Sequence, residues 1–347
     1  MFRFLIYLIV FIIFLVPDFA LSTDAILNGA GATFPHPLYK KWFEVYRKKT
    51  GIRISYQAVG SGSGIKQLLK KSVDFGATDA FLCDRELEKL DNPILHVPTC
   101  LGAVAVIYSL PGNPALTFTP ELIADIFLGK ISRWTDKRIA KANPKIDFPD
   151  LDISVVHRSD GSGTTFVFTD YLSKINSKWQ QEVGKGKTVR WPVGIGVERN
   201  PGVANYVKKI PGSIGYVEIA YAKSQSLPVA LIRNKSGNNV RPTLESISIA
   251  ANVRLPSDTR ILITDTPADM GYPISAFTWL IFYKDQTYDK RPKKKATMLA
   301  KFLWWVIHEG QQFNNQLLYA SLPDEAVKKG ERVIRSMTHK GNPVVDW

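Results

Sequence analysis

Cysteine is nearly absent from this chain of 347 residues, which holds only Cys83 and Cys100. Its five histidines, His36, His96, His157, His308 and His339, form no H-x-x-x-H or H-E-x-x-H pair. Two cysteines without clustered histidines supply no zinc-ligand spacing, so no metal site is expected and metal-assisted hydrolysis has no support. Phosphate-handling enzyme motifs are missing too. A P-loop needs glycine, four residues, then Gly-Lys-Ser/Thr. Gly186-Lys187-Thr188 has Gln181 where that first glycine belongs, and Gly129-Lys130 runs into Ile131. No G-x-S-x-G nucleophile elbow occurs, because the centre of "GSGSG" is Gly62 and "SDGSGTT" also breaks the pattern. No repeat with a period of roughly 20–50 residues is visible, which excludes solenoids and propellers. Past the first residues no run of about 18 apolar residues appears, so a soluble body is expected.

The chain opens with "MFRFLIYLIVFIIFLVPDFALSTDA". Arg3 gives a positive start, Leu5 to Val16 an apolar stretch too short for a membrane span of roughly 20 residues, and Pro17 a break. Small residues Ala20, Ser22 and Ala25 follow. This pattern predicts a cleavable signal peptide over residues 1–23 and export. No cysteine lies near it, so the product is expected to be free rather than a lipoprotein. In an exported chain Cys83 and Cys100 can close one disulfide or stand as two separate buried thiols. The net charge of +14 suits anions of every kind, from phosphate to nucleic acid. The basic residues are dispersed along helical faces, however, and no nucleic-acid motif accompanies them, so no nucleic-acid partner is expected.

Hydrophobic patterning gives an α/β chain with enough apolar content, 45%, for two cores. Leu38, Trp42, Val45 and Tyr46 form a helical stripe ending before Gly51. "IRISYQAV" alternates as a strand, "GSGSG" reads as a loop, "IKQLLKKSV" as a helix and "DFGATDA" as strand and loop. That alternation predicts a parallel, doubly wound sheet. Thr119 is placed to cap a helix from Pro120, and "KATMLAKFLWWVIHEGQQFNNQLLYASLP" reads as helical. Three loops share one chemistry: "GAGATFP" (Gly29 to Pro35), "GSGSG" (Gly60 to Gly64) and "RSDGSGTT" (Arg158 to Thr165). Each follows a strand and precedes a helix, where unpaired N–H groups, close backbone approach and hydroxyl donors favour an anion. His157, next to Arg158 in a strand, would face away from it and reads as structural.

The blocks "GAGATFPHPLYKKW", "YQAVGSGSGIKQL", "VDFGATDAFL", "HRSDGSGTTFVFTDYL", "PGSIGYVEIAYA" and "LLYASLP" resemble the periplasmic phosphate-binding proteins of bacterial ABC phosphate importers. The likeness covers almost the whole chain after the leader, in one order. It implies a two-lobed periplasmic-binding-protein fold of type II, with the ligand in the interlobe cleft. Lobe I would be residues 24–98 plus 272–347, and lobe II residues 99–271. By motif, Thr33 matches a phosphate-contacting hydroxyl with the Phe34 N–H beside it, and Ser61 matches the second-loop donor. Asp79 matches the aspartate that accepts the proton of the bound phosphate. Arg158 matches the charge partner, with Ser162, Gly163 and Thr164 as donors at a helix start and Asp160 holding the arginine. The placement of Ser63 is left open by the "GSGSG" spelling, and "VGIGVERNPGV" stands where a glycine-richer loop is expected. A disulfide between Cys83 and Cys100 would staple the first crossover. The resemblance further implies delivery of inorganic phosphate to membrane permease and ATPase subunits by a monomer, with no cofactor and no catalysis. An exported phosphatase-like enzyme, or a phosphate-binding sensor or adhesin, are the alternative readings.

Overall fold

The computed structural model describes residues 26–346, so the expected signal peptide lies outside the described residues. In chain order the strands are β1 (Ile26–Gly31), β2 (Arg53–Ala58), β3 (Phe75–Thr78), the long β4 (Ile94–Tyr108), β5 (Thr117–Phe118), β6 (Ser154–Arg158), β7 (Ile195–Val197), β8 (Ser213–Glu218), β9 (Leu231–Arg233), β10 (Asn239–Val240), β11 (Ser275–Tyr283), β12 (Thr338–His339) and β13 (Asn342–Pro343). Eight of them make one curled sheet in the order β2-β1-β3-β11-β4-β8-β6-β7. The expected α/β architecture is present.

The sheet is mixed rather than wholly parallel. β1 pairs in parallel with β2 and β3, and β6 with β7 and β8, as strand–helix–strand units require. β11 is antiparallel to both β3 and β4, and β4 to β8. The reason lies in the path of the chain. β4 carries it from one half to the other, and β11 brings it back in the opposite sense. Ile94 to Ala103 pair with β11, and Val104 to Tyr108 pair with β8. All but one residue of β4 are buried, which is why it reads as an unbroken apolar run. At the changeover the Val104 N–H donates to the Ile274 carbonyl (2.9 Å), and the Tyr272 hydroxyl donates to the Val104 carbonyl (3.0 Å). The two crossing segments therefore hold each other where the halves meet.

Local signals account for where several helices begin and end. His36–Thr50 carries Pro37 in its first turn and stops at Gly51, whose φ of 73° is left-handed, with Arg47, Lys48 and Lys49 at its negative end. The Pro120 helix is capped by the Thr119 hydroxyl, which accepts from the Leu122 N–H. "GSGSG" is not a free loop, because the helix Ser61–Leu69 already begins inside it. Gly64 shows why small residues are needed there. A Cβ on it would stand 2.4 Å from the Gly31 α-carbon and 2.6 Å from the Ala30 carbonyl oxygen. The helix thus lies directly on β1, and its first turn reaches the strand ends. The stretch from Lys293 is helical only to Ile307. His308 leaves helical geometry, and two short 3₁₀ turns, Glu309–Phe313 and Asn315–Leu317, carry the chain back to the cleft. Gly310 accepts the indole N–H of the fully buried Trp42 (2.8 Å) at that bend.

The cysteines are not joined. Cys83 is exposed at the start of the short helix Asp84–Leu87, while Cys100 is wholly buried in β4 beside Thr99. Both precede the point where β4 changes partners, so they do not flank the crossover and the expected staple is absent. Thiol titration of the native chain should find one fast-reacting group, and two after denaturation. Reductant should leave the melting temperature unchanged. A native chain with no reactive thiol would contradict this arrangement.

Candidate anion site between the lobes

The three glycine-hydroxyl loops converge. Thr33 and Phe34 stand between β1 and the His36 helix, and Ser61 opens the next helix. Asp79 follows β3, Arg158 ends β6, and Ser162 to Thr164 start the helix Gly163–Ile175. Every one of these side chains is at most 3% exposed. The two halves touch directly, since the Gly62 N–H donates to the Gly161 carbonyl at 2.8 Å. Gly163 marks the closest approach. A Cβ there would lie 2.4 Å from both Asp79 Oδ2 and Ser61 Oγ, so only glycine lets the second half's helix start reach the first half's carboxylate.

The helix start is a donor surface. Ser162 is its N-cap, accepting from the Thr165 N–H at 3.0 Å. The Gly163 and Thr164 N–H groups belong to the first turn, which has no carbonyl one turn back to bond. Arg158 is clamped by Asp160, with Nε on Oδ1 at 2.6 Å and Nη2 on Oδ2 at 2.5 Å. Asp160 also accepts from the Arg199 N–H (3.0 Å). Burial acts to raise the Asp160 carboxyl, but the hydrogen bonds and charge of Arg158 outweigh it and hold the group below its usual range. Arg158 Nη1 is left facing Thr164 Oγ1 at a long 3.4 Å.

Asp79 is the contrasting carboxyl. Its Oδ1 accepts from the Thr278 hydroxyl at 2.7 Å, and its N–H donates to Ser61 Oγ at 3.3 Å. Burial dominates its titration and pushes it up to about 7, against the opposing pull of Thr278, Arg158 and Ser61. His157, by contrast, stacks on Trp191 at 4.7 Å and takes no place among these groups.

Four residues of this region were missed in the sequence. Thr278 is a hydroxyl within the otherwise apolar "AFTWLIF" of β11, and that anomaly was the available signal. Asn200 lies in the "ERNPGV" stretch, wholly buried between Thr33 and Thr164. Tyr221 donates its hydroxyl to the Thr33 carbonyl at 2.7 Å. Tyr319 stands 2.7 Å from the Phe34 carbonyl oxygen and 3.0 Å from Glu218 Oε2. One phenolic proton cannot serve both oxygens. A neutral Glu218 resolves the count by donating to Tyr319, which donates to Phe34. Burial drives the Glu218 carboxyl well upward, in keeping with that proton. A groove of about 670 Å³ lined by Ile219, Leu227, Ile247 and Leu318 lies apart from these groups.

The likenesses to other proteins agree in kind. A family model described as a PBP superfamily domain matches residues 20–309. A phosphate-binding protein PstS of Pasteurella multocida is 42% identical over 317 residues, covering 90% of each chain. One from Xylella fastidiosa is 42% identical over 323 residues, covering 91% of this chain and 86% of its own. The crystal structure of a phosphate-binding protein from Stenotrophomonas maltophilia superposes with a TM-score of 0.65 at 18% identity, over 89% of this chain and 93% of that one.

The elevated Asp79 carboxyl predicts a pH effect on the anion-free chain. Its contribution is fully present below the ordinary carboxylate range, about 3.9. It is lost as the pH rises through about 7. Melting temperatures in phosphate-free buffer should therefore fall from pH 5 to pH 8, and Asp79→Asn should remove that component. Parallel profiles for the two proteins would show that Asp79 does not titrate in this range.

Proposed function

We propose that this chain, which belongs to the PstS phosphate-binding proteins of the PBP superfamily, is the periplasmic receptor that captures inorganic phosphate and hands it to an ABC importer. The observation that carries the reading is the meeting of Asp79 with the Ser162–Thr164 helix start in a closed cleft. Donors come from both halves of the site, and one acceptor carboxyl, Asp79, stands among them. Thr33, the Phe34 N–H, Ser61, Arg158, Ser162, Gly163 and Thr164 are the proposed donors, with Asp160 steadying the arginine. Hydrogen phosphate offers acceptor oxygens together with an O–H that an ionised Asp79 can accept. Sulfate at neutral pH has no O–H, so it meets Asp79 as one anion facing another.

Binding here does not rest on net positive charge, because Arg158 is already matched by Asp160. Oriented N–H and O–H dipoles in a water-excluded cleft do the holding. We place the lobes at residues 24–98 plus 272–347 and 99–271. The change of partners along β4 between Ala103 and Val104, a few residues past the first boundary, supports that division. The signal-like residues 1–23 support export to the periplasm as a free protein. The permease and ATPase subunits of the importer are the proposed partners of a monomeric receptor. Binding without chemistry is the reading the family supports, against a phosphatase-like enzyme. No helix among the described residues is long and apolar enough to cross a membrane.

Calorimetric titration with phosphate, arsenate and sulfate, run alongside a phosphate-ester hydrolysis assay, tests the proposal. Phosphate and arsenate should bind, sulfate should bind at least about 100-fold more weakly, from the 2–5 kcal/mol scale of an unpaired buried charge, and no ester should be cleaved. Asp79→Asn should narrow the phosphate-to-sulfate ratio. Equal binding of the two anions by the wild type would sink the role of Asp79.

A further inference from the structure

We infer that Asn200 is the positioning residue that turns the hydroxyls of Thr33 and Thr164 into obligate donors, and so sets the polarity of the anion site. An asparagine amide offers an acceptor oxygen on one side and two N–H donors on the other. The Glu218 N–H can only donate, and it lies 3.0 Å from Asn200 Oδ1. That contact fixes which side is oxygen. The amide nitrogen then faces Thr33 Oγ1 at 2.9 Å and Thr164 Oγ1 at 3.1 Å, one proton for each. Thr164 Oγ1 also faces Arg158 Nη1. Thr164 Oγ1 thus has both lone pairs filled and Thr33 Oγ1 one of its two, so neither hydroxyl proton can point at the amide and each must point elsewhere. The direction left to them is the cleft.

The device also links the lobes. Asn200 belongs to the helix Arg199–Lys209, which packs on β8 of the second half, while Thr33 follows β1 of the first. The Asn200–Thr33 bond thus exists only when the cleft is shut, and shutting it aligns the Thr33 proton. Asn200 is wholly buried, so no water can substitute for either bond. Its neighbour Arg199 takes a left-handed φ of 63°, a conformation disfavoured for a residue that carries a side chain. That turn is what lets the Arg199 N–H reach Asp160 while Asn200 points inward. The "ERN" spelling, where a glycine-rich loop was expected, therefore carries a function of its own.

This inference rests on the phosphate reading, and a double-mutant cycle separates the two. Phosphate affinity is measured by calorimetry for the wild type, Asn200→Leu, the Thr33→Val/Thr164→Val pair, and the three changes combined. Melting temperatures are followed throughout. Asn200→Leu should weaken phosphate binding about 10- to 100-fold in the wild-type background, as two lost hydrogen bonds imply. In the Thr33→Val/Thr164→Val background it should change affinity less than about threefold, because there is no hydroxyl left to orient. Similar losses in both backgrounds would overturn the inference, since a merely structural asparagine behaves that way. Asn200→Ala in the same cycle answers the question should leucine prevent folding. A wild type that binds sulfate instead of phosphate would overturn the functional reading alone, with the cycle then read on sulfate. A wild type that binds neither would overturn both.

Discussion

Arg158 is bound side-on by Asp160 through two short hydrogen bonds from Nε and Nη2, and the rest of the cleft follows from that pairing. A guanidinium buried without a partner would be costly, and a free one would attract any anion. Holding it in a pair satisfies both demands at once. The site then has no surplus positive charge, so discrimination must come from which groups donate and which accept. That explains the division of labour among the carboxyls. Asp160 is held low by its arginine, Asp79 is pushed up by burial against a strong donor in Thr278, and Glu218 is driven well upward by burial beside Tyr319. Three carboxyls within one buried region hold three different protonation tendencies, each set by its neighbours.

The fold delivers these groups by placing helix starts at strand ends from both halves. β1, β2 and β6 end in the three loops and β3 ends at Asp79, and close contacts at Gly64 and Gly163 bring these segments together. β4 and β11 do not contribute donors from loops; they supply the crossing. Their antiparallel pairing follows from outward and return passage. It makes the region around Val104 and Ile274 the place where the halves are joined. Thr278, on the return strand, ties this crossing to the site through its bond to Asp79.

Much of this was legible in the sequence because it depends on local chemistry. Glycine-hydroxyl loops after strands, a proline-started helix ended by Gly51, and a threonine cap before Pro120 are short-range signals, and they appear where they were read. The parallel sheet was overstated because strand direction across β4 and β11 is a property of chain path, which periodicity does not encode. "GSGSG" read as a loop because glycine and serine weaken helix propensity, yet packing on Gly31 holds it as a helical turn. Of the two alternatives left open for the cysteines, separate thiols are found, one outside and one inside. Asn200, Thr278 and Tyr319 escaped notice because each matters through a partner 167 or more residues away in sequence. For Asn200 the contact to Thr33 spans 167 positions.

The central claim is that Asp79 and the Ser162–Thr164 helix start face the same bound anion from opposite lobes. A high-resolution crystal structure of the chain grown with phosphate tests it most directly. The account predicts one phosphate with an oxygen within hydrogen-bond distance of Asp79, and others on the Gly163 and Thr164 N–H groups and the Thr33 hydroxyl. Phosphate bound elsewhere, or in the cleft with Asp79 turned away from it, would contradict the account.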